Sequence, residues 1–174
     1  MTDPRLRTFR QLAIYNRLAN ERLYDACQRL SAQELAMDRR AFFGSILGTL
    51  NHLLIGDEIW MTRFEGGEIP STGLDEVLHT EFELLHVARQ RMDARIEGFF
   101  SNVGVDFLDA TIRYQNNEAR VFDDPIPMLI IHFFNHQTHH RGQVHAMLTQ
   151  TSVAPPVLDF HRVLKPEPES ALPV

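Results

Sequence analysis

The stretch Asn135-His136-Gln137-Thr138-His139-His140-Arg141-Gly142-Gln143-Val144-His145-Ala146 decides how the chain is read. Five of the nine histidines fall between His132 and His145. They lie inside a long apolar run whose spacing predicts a helix from about Pro127 to Gln150. On a helix, His136 and His140 stack on one face about one turn apart. Two imidazoles so placed can reach one metal ion. A helix turns about 100° per residue. Taking Leu129 as the centre line, Phe133, His136, His140, Gln143, Val144 and Met147 fall within about 60° of it. His132 lies at the edge of this stripe, His139 further round, and His145 roughly opposite. The inward pair is therefore His136 and His140.

A lone inward histidine is usually a core residue bonded to backbone or to a neighbour such as Asn135 or Gln143. Two on one buried stripe are different. Each polar group left unsatisfied in the interior costs roughly 1–3 kcal/mol, and a metal satisfies both rings at once. Metal sites usually take at least three protein ligands. A second apolar stretch offers the third, His52, flanked four residues away on each side by Gly48 and Gly56. Glycine inside a helix costs around 1 kcal/mol relative to alanine, so the pair points either to a close helix crossing or to a small pocket beside the metal.

Two other metal motifs fail. His136 to His140 has the zinc-protease spacing, but Gln137 stands where the general-base glutamate belongs. A di-iron bundle needs Glu-x-x-His pairs on two separate helices. Glu76 with His79 and Glu83 with His86 both fall on the one expected third helix, and Glu83 and His86 are read as solvated or rim groups. A mononuclear three-histidine site survives both comparisons.

Around these helices the chain reads as one domain over residues 1–174, with a Pro-rich tail from 151 to 174. Asp3-Pro4 opens a helix running to about Leu30, with Asn16 and Asn20 on or beside its apolar face and placed to bond a neighbouring helix. Ser31 and Glu34 form a capping box. A second long helix runs from about Gly44 to Phe64, apolar on more than one side, as for a helix buried in a bundle. A loop covers 65–73. A third helix is expected over about 75–100, with Val77, Leu78, Phe82, Leu85, Met92, Ile96 and Phe99 as its stripe. Val105–Asn116 alternates and is read as a strand. Asn116-Asn117-Glu118 is its turn and Ala119–Phe122 a short return strand. Asp123, Asp124 and Pro125 should cap the fourth helix. In the tail, Val157-Leu158-Asp159-Phe160 is expected to dock. The fold class is all-α, a four-helix bundle with a small β-hairpin between helices three and four.

Lys and Arg total 17 and Asp and Glu 23, a formal charge of −6. This argues against nucleic-acid partners, which call for a basic stripe. Cys27 is the only cysteine, which fits a reducing compartment. It reads as a small core residue. No run is long enough to span a bilayer. A soluble cytoplasmic protein without membrane partners is the expectation.

Asn51-His52-Leu53-Leu54-Ile55-Gly56-Asp57-Glu58-Ile59-Trp60 and Asn135–Val144 resemble the two signature stretches of the DinB/YfiT-like superfamily. The resemblance covers nearly the whole chain, including the hairpin and the Pro155-Pro156-Val157-Leu158-Asp159-Phe160 tail. It implies an up-up-down-down four-helix bundle, commonly a homodimer. It also implies a divalent metal held by three histidines, which match His52, His136 and His140. The superfamily includes thiol-dependent transferases and isomerases, such as mycothiol-dependent maleylpyruvate isomerase and bacillithiol transferases. The resemblance thus implies a small electrophilic substrate and a low-molecular-weight thiol as cosubstrate. Zinc or nickel are the first choices of metal, then iron or manganese. Two alternatives stand beside the enzyme: a stress-response module that binds metal or ligand without turnover, and a metal-free bundle whose histidines are structural. The residues name no general base.

Overall fold

The structure, a computed structural model, describes residues 3–69, 73, 76–116 and 119–165. Side-chain caps place the starts of the first three helices. The Asp3 carboxylate accepts from the Arg5 amide at 2.8 Å and Pro4 occupies the first turn, opening α1, Pro4–Cys27. The Ser31–Glu34 capping box forms and starts α2, Ala32–Ala36. Ser45 caps α3, Ile46–Phe64, by accepting from the Gly48 amide at 3.0 Å. Then come α4, Phe82–Asn102, the one-turn α5, Val105–Leu108, and two antiparallel strands. These are β1, Thr111–Gln115, and β2, Val121–Pro125, with Thr111 opposite Pro125 and Gln115 opposite Val121. The last long helix is α6, Ile126–Leu148, followed by α7, Phe160–Leu164.

Three expected boundaries change. The third long helix starts at Phe82, and Val77 and Leu78, counted in its stripe, are exposed. Asn51 of α3 holds the approach instead. Its amide donates to the His79 carbonyl at 3.0 Å, and its oxygen accepts from the His79 amide at 2.9 Å. Val105–Leu108 is helical and not strand, closed by the Asp109 amide donating to the Val105 carbonyl. Asp123 and Asp124 lie on β2 and do not cap α6. Asp123 pairs with Arg113, and Asp124 accepts from the Tyr114 hydroxyl at 2.9 Å. Of the expected hairpin turn, Asn117 and Glu118 lie outside the described residues, as do 166–174 of the tail.

Each of α1 and α3 packs against both α4 and α6, so the four long helices form a closed ring. Their directions follow from paired residues. Arg10 reaches the Phe100 carbonyl, Arg17 reaches Glu97 and Asn20 reaches Asp93, so α1 and α4 are antiparallel. Asp57 meets Arg89 and Glu65 meets Arg95, so α3 and α4 run the same way. His52 faces His140 while Phe64 faces Phe133, so α3 and α6 are antiparallel. The all-α class with its hairpin stands, but the course is up-down-down-up, not up-up-down-down. The long connection 65–81 lets α4 return parallel to α3. A short α3–α4 turn could not do so. The apolar core lies inside the ring, where Leu50, Leu85, Ile96, Phe100, Ile130 and Leu148 are fully buried. The tail docks as expected. The Tyr15 hydroxyl donates to the Leu158 carbonyl at 2.8 Å, and Val163 packs against Tyr15 and Ala19. Among the described residues no helix is long and apolar enough to cross a membrane.

Candidate metal centre

His52 comes from the buried middle of α3, and His136 and His140 from successive turns of α6. The antiparallel packing of these two helices brings all three together. Their candidate ligand atoms lie within 4.8 Å of one another. His52 Nε2 and His136 Nε2 are 3.1 Å apart. Ring centroids are separated by 5.1, 4.5 and 4.4 Å for the three pairs. A tetrahedral ion with bonds of 2.0–2.1 Å needs its nitrogens about 3.3 Å apart. The His52–His136 pair is close to that spacing, and the His140 nitrogen lies within 4.8 Å of both. Among the described residues this is the one group of three metal-capable side chains that converges so closely.

The flanking glycines serve close approach and do not open a cavity. A Cβ on Gly56 would come to 2.9 Å from His136 Cε1, and one on Gly48 would strike the Phe43 carbonyl. Phe43 follows from that contact. Its ring stacks on His52 at 3.8 Å and stands edge-on to His140 at 5.5 Å, covering that side of the cluster.

Burial, followed by its neighbouring histidines, pushes His136 down to about 3. Burial also lowers His140, against the opposing effect of its hydrogen bond to Gln143. Neutral rings keep a lone pair for a metal. His140 Nδ1 lies 2.8 Å from Gln143 Oε1. That oxygen can only accept, so the proton sits on Nδ1 and Nε2 is left free.

A family model for the DinB family matches residues 1–171. The chain belongs to the DinB family. Protein DinB of Bacillus subtilis (strain 168) is 25% identical to it over 152 residues, which is 84% of this chain and 87% of that protein. Among solved structures, a DinB-like protein from Bacillus cereus ATCC 10987 matches with a TM-score of 0.58 and 17% identity. The match covers 80% of this chain and 89% of that one, and bears on fold alone.

The other histidines of this DinB-family chain fall where the helical arithmetic puts them. His132 is exposed at the rim, edge-on to Trp60 at 5.2 Å. His139 is exposed, beside the Gln143 amide. His145 lines a cleft with Tyr15 and Leu158 that is also bordered by Thr138 and Gly142, residues on the opposite side of α6 from the cluster. Glu83 is exposed, and His86 packs on Tyr24 and Phe82. Read from sequence, Gln137 has no role beyond excluding the protease motif. It is fully buried and donates from its amide to the equally buried Asp57. The signals were present: Asp57 falls among the apolar residues of α3, between Ile55 and Ile59, and Arg89 and Asp93 are one turn apart on a face that also carries Leu85, Met92 and Ile96. Asn16 and Asn20 do bond neighbouring helices, to Asp93 of α4.

Proposed function

We propose that His52, His136 and His140 hold one divalent metal, zinc or nickel in the first place. On this reading the protein is a thiol-dependent transferase or isomerase acting on a small electrophilic substrate. The observation that carries the metal is the convergence of three imidazoles from two helices, with Nε2 atoms of His52 and His136 at 3.1 Å. Three protein ligands leave coordination positions for a further molecule, the pattern of catalytic sites. When bound there, such a metal lowers the pKa of a thiol or water that joins it.

The chain's own residues do the remaining work. Gln143 fixes the tautomer of His140. Phe43 and Gly56 hold His52 and His136 in place and keep water from their covered side. His136 stays unprotonated across the physiological range because burial opposes its charge. The support for thiol chemistry is membership of a family with thiol-dependent members, not a side chain. A cytoplasmic homodimer working on small molecules, as one domain, is part of the same reading. Cobalt substitution tests it. Addition of a low-molecular-weight thiol should shift the visible spectrum of the Co²⁺ protein, and a panel of electrophiles should then show turnover. A silent spectrum and no turnover would leave the non-catalytic module.

A further inference from the structure

The bundle interior carries a closed ring of polar side chains drawn from all four long helices. Gln137 of α6 donates to Asp57 of α3. Asp57 accepts from Arg89 of α4 at 2.5 Å, and Arg89 pairs with Asp93 at 3.0 Å. Asp93 accepts from Asn20 and Asn16 of α1 at 2.9 and 3.3 Å. The oxygens of Asn16 and Asn20 accept from Arg141 of α6, and Arg141 reaches back to the Gln137 oxygen at 3.3 Å. All seven residues are at most 3% exposed. Two arginines balance two aspartates, so the ring is formally neutral. Burying this much polarity seldom adds stability over an apolar core of the same shape, but it can specify one alignment of the helices.

The place where the ring joins α3 to α6 is the rung that carries the histidines. Gln137 follows His136 directly, and Asp57 follows Gly56, whose missing Cβ makes room for the His136 ring. Sliding either helix by part of a turn would close that gap or pull His136 from His52. We propose that Asp57 and Gln137 are positioning residues. Their bond sets the register of α3 against α6 and thereby the spacing of His52 from His136 and His140. The other half of the ring, Asp93 with Asn16 and Asn20, ties α1 to α4 and to Arg141 of α6. Among the described residues it makes no bond to α3, so it serves stability without setting the α3–α6 register. The proposal rests on the three-histidine metal site. It also gives Gln137 a task unrelated to the general base it replaces in the protease motif.

The test compares two substitutions in one ring, reading zinc affinity by competition with a chelator and stability by urea unfolding. Gln137→Met removes the tie at nearly constant volume. It should weaken zinc binding about tenfold, the lower end of what outer contacts of metal ligands are worth, and broaden or shift the visible bands of the Co²⁺ form. Asn20→Leu removes bonds to Asp93 and Arg141 but none to Asp57 or Gln137. Asn16 still holds Arg141, so the variant should lower stability and leave zinc affinity within about twofold. If Gln137→Met does not fold, Gln137→Asn, too short to reach Asp57, takes its place with the same expectation. Unchanged zinc affinity in the folded Gln137 variant, or equal losses in both variants, overturns the positioning role while leaving the metal site standing. A wild-type protein that binds no zinc, nickel or cobalt overturns both.

Discussion

Gly56 shows how a single missing methyl group shapes the site. Its absent Cβ would lie 2.9 Å from His136 Cε1. Gly56→Ala should therefore push the His136 ring aside and weaken metal binding, although alanine is the better helix former by about 1 kcal/mol. Calorimetric titration with zinc is the check, and wild-type affinity in a folded variant would count against the packing described. His136 also carries a pH signature. Burial holds it down to about 3, against 6.5 for the free side chain. Between these values the unfolded chain takes up a proton that the folded chain refuses. The stability this group contributes is complete above about pH 6.5 and drains away as pH falls toward 3. Metal-free protein should lose melting temperature as pH is lowered from about 7 to about 5, and a His136→Gln variant should do so less steeply. Parallel curves would place the loss elsewhere. At this scale the sequence was informative where helical geometry alone decides. The four-residue spacing of His136 and His140 placed them inward and His139 and His145 away. Gln137 escaped because a hydrogen bond to Asp57, eighty positions away in the chain, outweighs its nominally polar character, and no local pattern shows that partner.

Among the elements, caps were legible and tertiary overrides were not. Asp3, Ser31 and Ser45 start their helices through side-chain acceptors written in the sequence. The late start of α4 depends instead on Asn51 gripping the backbone of His79, a contact between segments 28 residues apart. Val105–Leu108 alternates like a strand, yet a single turn of helix closes there after Gly104. The Pro-rich tail was expected to dock, and the Tyr15 hydroxyl bonded to the Leu158 carbonyl is one fastening. Tyr15→Phe removes that bond and keeps the ring that meets Phe160. It should cost about 1 kcal/mol in urea unfolding and speed proteolytic cleavage after residue 150. No change in either would mean that the apolar contacts of Val163 suffice to hold the tail.

The whole molecule is arranged so that two antiparallel helices share three imidazoles while a second, parallel pair meets over a buried ion network. Apolar periodicity and the family resemblance announced a helical bundle, but the direction of each helix did not follow from the periodicity. The up-down-down-up course is read from residue pairs such as Arg17 with Glu97 and Glu65 with Arg95. Arg89 stands at the centre of the network between Asp57 and Asp93. Arg89→Met would strand two buried carboxylates, and a loss of about 3–5 kcal/mol in chemical unfolding is expected. A loss near zero would mean that the carboxylates take up protons or admit water without cost. The central claim is that His52, from one helix, completes a site begun by His136 and His140 on another. Metal content after purification without chelator, followed by incubation with zinc or nickel, tests it most directly. Wild-type protein and His145→Ala should each hold about one equivalent, and His52→Ala less than about a tenth of that. Equal metal in the wild type and His52→Ala, or none in the wild type, would contradict the account.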